Sequence, residues 1–194
     1  MNPQYLGDSY DVVKQSFLRL LASKGSWVTH PMLTESFSSE QADCYRRLLG
    51  TPIVSKEVLT SRVDRYAYFA PVRDSKEHVF LDPDVGIRLH ATKGMKAPQY
   101  IFSRELVDIA KACPERLLLV YDQSLARGAE RQQLQNKLSA LAAEGVYGGA
   151  YVSHACFVLL GTDRLIVADA LESLERESDS PAERFLRGAP GRPS

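Results

Sequence analysis

The chain has 194 residues, 44% hydrophobic and 25% charged, and its 24 Lys plus Arg against 24 Asp plus Glu give a formal net charge of zero. At this length a folded chain buries about 70% of the surface that it exposes when unfolded, so neither disulfides nor a structural metal is needed, and the composition argues against disordered, collagen-like and coiled-coil classes. The charge balance removes the strongly basic signature of many nucleic-acid-binding domains while leaving room for a local basic patch.

In chain order, Tyr10, Val13, Phe17, Leu20 and Leu21 recur at helical spacing from Asp8 or Ser9 until Gly25, predicting an amphipathic helix. Residues 26–30 read as a strand closed by Pro31. Ser38 and Gln41 form a capping box for a helix through Tyr45, Leu48 and Leu49 that stops at Gly50, followed by a brief apolar piece at Pro52-Ile53-Val54. Residues 65–69 fit a strand or an irregular aromatic segment, since the period does not decide. His78 to Leu81 is a compact strand stopped by Asp82-Pro83-Asp84-Val85-Gly86, and a long loop then runs to Gln99. A helix from Ser103 to Pro114 precedes the most strand-like run, Leu117 to Tyr121, which stops at Asp122. Residues 129–144 form a helix, 155–160 a strand and about 163–176 a last helix; the tail 188–194 is expected to fray.

Helices alternating with buried-type strands predict an α/β, three-layer sandwich with a largely parallel central sheet, residues 1–187 forming one catalytic domain. Such sheets bind ligands beyond the carboxyl ends of their strands. Three strands end in residues of catalytic type: His30; Asp82 and Asp84; and Tyr121-Asp122-Gln123-Ser124. If those strands are parallel neighbours, the residues converge on one site, although Asp and Ser are also common turn formers. Between Asp84 and Glu105 there is no acid, whereas Arg88, Lys93, Lys96 and Arg104 are present, together with His90. The four cations suit a phosphate clamp, or simply a solvated loop.

Cys44, Cys113 and Cys156 form no C-x-x-C pair, and the histidines and cysteines show no metal spacing, so no metal is expected. The chain lacks G-x-G-x-x-G after a strand, a P-loop, a G-x-S-x-G elbow and H-E-x-x-H, which disfavours dinucleotide enzymes, P-loop ATPases, α/β-hydrolases and zincins. Without an apolar run long enough for a bilayer or a signal-type opening, a cytoplasmic protein with no membrane partner is expected.

The succession Gly7-Asp8-Ser9-Tyr10-Asp11-Val12-Val13-Lys14, Thr29-His30-Pro31-Met32-Leu33-Thr34, Leu81-Asp82-Pro83-Asp84-Val85-Gly86 and Val120-Tyr121-Asp122-Gln123-Ser124 resembles a family of small bacterial proteins over most of the chain. That family is taken to include phage-defence DNA glycosylases, which excise glucosylated hydroxymethylcytosine and leave abasic sites. The resemblance implies modified phage DNA as partner, antiviral defence as role and no cofactor, and it carries no catalytic residue across. A second resemblance, to ribosomal-RNA adenine methyltransferases, lies in the order of opening helix, first strand and later D-P-P-like strand end. The chain departs from it twice: His30-Pro31-Met32-Leu33-Thr34 contains no glycine where a cofactor loop would stand, and Asp82-Pro83-Asp84 replaces an Asp/Asn-Pro-Pro-Tyr-like motif.

A DNA glycosylase must flip a nucleotide, grip its backbone, stabilise an oxocarbenium-like sugar and activate water. On the residues, Asp82 or Asp84 is the expected catalytic carboxylate and His30 assists the leaving base. Tyr121, Asp122, Gln123 and Ser124 contact the base or its sugar, and Arg88, Lys93, Lys96 and Arg104 hold DNA phosphates. A methyltransferase-like or metal-dependent nuclease-like enzyme, and a non-catalytic nucleic-acid-binding module, remain as alternatives.

Overall fold

The computed structural model describes residues 1–91 and 94–188, so Lys93 and all of the expected tail except Gly188 lie outside the described residues. The elements are α1 (Ser9–Leu20), β1 (Trp27–His30), α2 (Ser39–Leu49), α3 (Arg65–Tyr68), α4 (Ala70–Asp74), β2 (His78–Leu81), β3 (Gly86–Arg88), β4 (Tyr100–Phe102), α5 (Ser103–Ala112), β5 (Leu118–Asp122), α6 (Glu130–Ala143), β6 (Tyr147–Tyr151), β7 (Cys156–Gly161), α7 (Arg164–Ser178) and β8 (Phe185–Arg187).

Local chemistry accounts for several boundaries. The Asp8 carboxylate accepts the N–H groups of Tyr10 and Asp11 and so starts α1. The Ser38–Gln41 capping box opens α2, and Gly50, at φ 73°, closes it in the left-handed conformation that glycine adopts without strain. Asp64 accepts from the Tyr66 N–H, and this cap draws the aromatic segment 65–69 into the short helix α3 rather than a strand.

The six-stranded sheet has the order β1-β2-β5-β7-β6-β8. The α/β class holds, but the sheet is not largely parallel: β1–β2 and β2–β5 pair parallel, whereas β5–β7, β6–β7 and β6–β8 pair antiparallel. The physical reason is β6, a strand that the sequence pattern hides. Its two adjacent glycines disfavour a strand, yet they sit where the sheet is crowded. A Cβ on Gly148 would lie 2.3 Å from the Leu159 carbonyl oxygen, and one on Gly149 would lie 2.7 Å from the Leu186 oxygen. β6 and β7 form a hairpin that turns β7 against β5, so β1, β2, β5 and β6 run one way and β7 and β8 the other. The expected long loop also contains β3, which pairs parallel with β4 in a separate small sheet.

Helices cover both faces. Val79, Leu81, Leu118 and Val120 pack with α3, α4, α5 and α6 residues such as Tyr68, Val72, Leu106 and Leu134. The alternate residues Phe80, Leu119 and Tyr121 pack with Phe17 and Leu18 of α1, Tyr45 of α2 and Leu171 of α7. Among the described residues no helix is long and apolar enough to cross a membrane.

Arg116, 1% exposed, ties one layer together by donating to the carbonyl oxygens of Val72 (2.7 Å), Ile109 (3.1 Å), Arg73 (3.4 Å) and Ser75. Removing the guanidinium strands those acceptors, so Arg116→Ala is expected to cost about 2–4 kcal/mol in urea unfolding. The exposed Arg46, 3.7 Å from Asp43, provides the contrast, and Arg46→Ala should change stability by less than about 0.5 kcal/mol.

Candidate functional site

The carboxyl ends of β1, β2 and β5 lie side by side, but strand alternation divides their side chains between two faces. His30 pairs with Leu81, and Leu81 with Val120, so Asp82 stands level with Tyr121 and out of phase with both His30 and Asp122. Asp82 and Tyr121 therefore face α1, while His30 and Asp122 face the opposite helices. The expected convergence on one site is corrected accordingly.

On the α1 face, Lys14 Nζ lies 2.9 Å from Asp11 Oδ1 and 2.9 Å from Asp82 Oδ2, all three side chains being buried. Tyr45 of α2 donates its hydroxyl to the same Asp82 oxygen, and the Lys14 ammonium stands 4.7 Å from the Tyr121 ring centroid. Burial disfavours the ammonium, yet Asp82 and Asp11 outweigh it and hold the Lys14 pKa above its ordinary value. Burial pushes the Asp11 carboxyl upward against the pull of Lys14. The Tyr45 and Tyr121 phenols are also raised, first by burial and then by Asp82, so at neutral pH both remain hydrogen-bond donors.

Beside this network lies a cavity of about 250 Å³ whose wall includes Asp8, Tyr10, Asp11, Lys14, Asp82, Asp84, Tyr121 and Gln123. Its other charged groups are already engaged: Asp8 caps α1, Asp11 accepts the Gly7 N–H as well as Lys14, and Asp82 holds Lys14 and Tyr45. Two groups stand apart. The half-buried Asp84 carboxylate makes no hydrogen bond with another described residue, although the Met1 amine on the same wall attracts it electrostatically, and the buried Tyr121 hydroxyl, in a residue 4% exposed, has no partner among the described residues. A buried donor without a partner costs stability, which is the usual sign of a group reserved for a ligand or an ordered water. The backbone that anchors Met1 is strained: Met32, at φ 47°, is left-handed without being glycine. Its carbonyl and that of Asp82 both accept from the Met1 nitrogen, at 2.9 and 3.2 Å.

The opposite face carries a second ionic cluster. Lys137 of α6 donates to Asp122 Oδ2 (2.6 Å) and Ser124 Oγ (2.7 Å), while Asp122 Oδ1 accepts the N–H groups of Ile87 (3.1 Å) and Ser124 (3.0 Å). These bonds pin β3 against β5. Gly86 is required there, because a Cβ would lie 2.1 Å from Asp122 Oδ1. The carboxylate and hydroxyl expected to contact a base thus make structural bonds, and Tyr121 and Gln123 remain as cavity-facing residues.

His30 is not at the cavity. Its ring packs 4.8 Å from Tyr68 and 5.5 Å from Phe69 between centroids, and its Nδ1 accepts from the Met32 N–H at 3.3 Å. Burial lowers its pKa to about 4, and its Nε2, like the Tyr121 hydroxyl, has no hydrogen-bond partner among the described residues, but the wall of the cavity beside Asp82 does not include it, so it is not placed to assist a leaving group there. Nor do the expected phosphate-binding cations line the cavity. The Arg88 guanidinium lies over the Tyr100 ring, Lys96 is exposed, and Arg104 lines a separate groove with Arg65, Arg73, Glu105 and Asp108; Lys93 is outside the described residues.

Lys14, Asp11, Tyr45 and Tyr10 were missed by the strand-end argument. A signal existed: Asp11 and Lys14 continue the buried stripe of Phe17, Leu18 and Leu21 along α1, and opposite charges in an apolar register point to a buried pair. Among the described residues no group of three His, Cys, Asp or Glu side chains is arranged to hold a metal ion. No family model, curated protein or solved structure significantly matches the chain.

The depressed His30 pKa has a definite sign. Stability it contributes is fully present above the unfolded value of about 6.5 and is lost as pH falls through about 4, for a total of about 3 kcal/mol. An NMR titration of the His30 ring should give a midpoint near pH 4 if the fold survives to that pH, whereas a midpoint near 6.5 would contradict its burial.

Proposed function

We propose that the protein is a DNA glycosylase that excises a flipped, modified cytosine and leaves an abasic site. The observation that carries this reading is the strand-end cavity in which the Asp84 carboxylate and the buried Tyr121 hydroxyl have no hydrogen-bond partner among the described residues. At about 250 Å³ the cavity lies just below the usual range for drug-sized ligands and suits one base or sugar rather than a dinucleotide. Tyr10, half-buried on the cavity wall and packed 6.1 Å between centroids from Tyr121, offers aromatic surface to a base.

In this mechanism the Asp84 carboxylate faces the sugar, stabilises positive charge as the C1′–N bond breaks, and takes a proton from the water whose oxygen bonds to C1′. The Tyr121 phenol donates a hydrogen bond to the departing base, which carries away the bonding electron pair and is protonated by solvent. Asp82, saturated by Lys14 and Tyr45, positions the Pro83-Asp84 turn. No cofactor is needed. The identification of the base as glucosylated hydroxymethylcytosine and the antiviral role rest on the family resemblance.

A methyltransferase-like reading has one observation in its favour: α1, β1 and the Asp82 strand end occur in the order on which the resemblance to ribosomal-RNA adenine methyltransferases rests. Against it, Pro31, Met32 and Leu33 after β1 are buried, leaving no open glycine loop for a nucleoside cofactor. The nuclease-like reading needs Asp82 for a metal, and Lys14 and Tyr45 already occupy it.

The test incubates the purified protein with unmodified, hydroxymethylated and glucosylated phage DNA, without added cofactor, and measures released base by mass spectrometry together with abasic sites. Release from modified DNA, reduced at least about 100-fold in Asp84→Asn, is expected; because no described residue hydrogen-bonds to the Asp84 side chain, that variant should unfold within about 0.5 kcal/mol of wild type. No release from any DNA, or undiminished release by Asp84→Asn, would overturn the proposal. Saturable binding of S-adenosylmethionine would instead favour the methyltransferase-like reading.

A further inference from the structure

The cavity wall carries four carboxylates, Asp8, Asp11, Asp82 and Asp84, against the single lysine Lys14. The Met1 amine stands on the same wall, but burial lowers its pKa to about 6, so at neutral pH it offsets little of that excess. A space of this sign repels a phosphate and attracts a cation. Three of the carboxylates are spent on the fold: Asp8 caps α1, Asp11 accepts from Gly7 and Lys14, and Asp82 accepts from Lys14 and Tyr45. That leaves Asp84, which makes no hydrogen bond with another described residue, to meet a ligand.

A second feature lies in the same space. The Tyr121 hydroxyl, in a residue 4% exposed, is a donor without a partner among the described residues. The groups that raise its pKa after burial are Asp82, Tyr10, Asp8 and Asp11, and all of them stand on the cavity wall. The hydroxyl is therefore placed to donate to an oxygen of whatever the carboxylates hold. Tyr5, 57% exposed, and the half-buried Tyr10 add aromatic surface to the wall, and the Lys14 ammonium already lies 4.7 Å from the Tyr121 ring centroid. Aromatic faces attract an organic cation. A divalent metal ion would instead need several free carboxylates, and among the described residues no group of His, Cys, Asp or Glu is arranged to hold one.

We infer that the cavity is selective for a small organic cation with an oxygen beside the charge, Asp84 facing the charge and Tyr121 donating to the oxygen. The inference rests on the glycosylase reading and names the ligand class of that site. The sugar whose ring becomes cationic as the base leaves enters the cavity, and its flanking phosphates stay outside. A protonated pyrrolidine that carries the sugar's hydroxyl groups holds such a charge permanently, so it binds more tightly than the neutral ring.

The experiment titrates the full chain by NMR with a hydroxymethyl-hydroxypyrrolidine and with the neutral tetrahydrofuran that carries the same hydroxyl groups, alongside the base-release assay. The pyrrolidine should bind at least about tenfold more tightly than the tetrahydrofuran. Asp84→Asn should bring the pyrrolidine down to the affinity of the tetrahydrofuran, whereas Tyr121→Phe should weaken both at least about threefold and keep the preference. Because the hydroxyl has no partner among the described residues, Tyr121→Phe should resist urea at least as well as wild type, which separates lost binding from lost fold. Equal binding of the two probes, binding of neither, a preference that survives Asp84→Asn, or undiminished binding by Tyr121→Phe would each overturn the inference. So would displacement of the pyrrolidine by magnesium or by inorganic phosphate at constant ionic strength. The two proposals fail separately. Pyrrolidine-selective binding without base release from any DNA refutes the glycosylase and leaves the cation site standing, whereas base release with no preference for the pyrrolidine refutes the cation site alone.

Discussion

Lys14 Nζ is withdrawn from water and held between Asp11 on its own helix and Asp82 at the end of β2. Removing a charge from water costs several kcal/mol even in a relaxed protein interior, so the ammonium is tolerable only while both carboxylates enclose it. Asp82 in turn needs the Tyr45 hydroxyl, which brings in α2. Three elements distant in sequence thus meet at one side chain. The next two residues inherit the position of Asp82: Pro83 restricts the backbone, and Asp84 reaches the cavity. Buried ion pairs add little net stability compared with apolar packing, and the value of this one lies in the single arrangement that it permits.

The same device occurs twice. Neighbouring strands β2 and β5 each lead to an aspartate, and each aspartate pairs with a lysine from a helix on its own face, Asp82 with Lys14 and Asp122 with Lys137. Because the two are one residue out of phase, the first organises a cavity on the α1 side. The second fastens β3 to β5 on the α6 side. A sheet of period two separates chemistry from scaffolding by that one-residue offset.

Much of the fold was legible in the chain. The opening helix, the Ser38–Gln41 cap, the strands ending near His30, Leu81 and Tyr121 and the last two long helices follow from periodicity and capping. What escaped has physical causes. Gly148 and Gly149 deprive β6 of the apolar alternation that marks a strand, because the sheet requires close approach to neighbouring backbone there. With β6 hidden, β7 could not be seen to reverse. Asp82 and Asp84 were legible as strand-end carboxylates, but their different roles depend on Lys14 and Tyr45, 68 and 37 residues away from Asp82. His30 was misread because a strand end gives a residue's height in the sheet without giving its face.

The claim on which the rest depends is that Lys14 and Asp82 act as one unit. A double-mutant cycle of urea unfolding with wild type, Lys14→Met, Asp82→Asn and the double variant measures this directly. Each single change leaves a buried group without its partner, so the double variant should be more stable than the summed losses imply, with a coupling of about 1–3 kcal/mol. Additive losses would mean that the two side chains stabilise the fold independently, and would contradict the account.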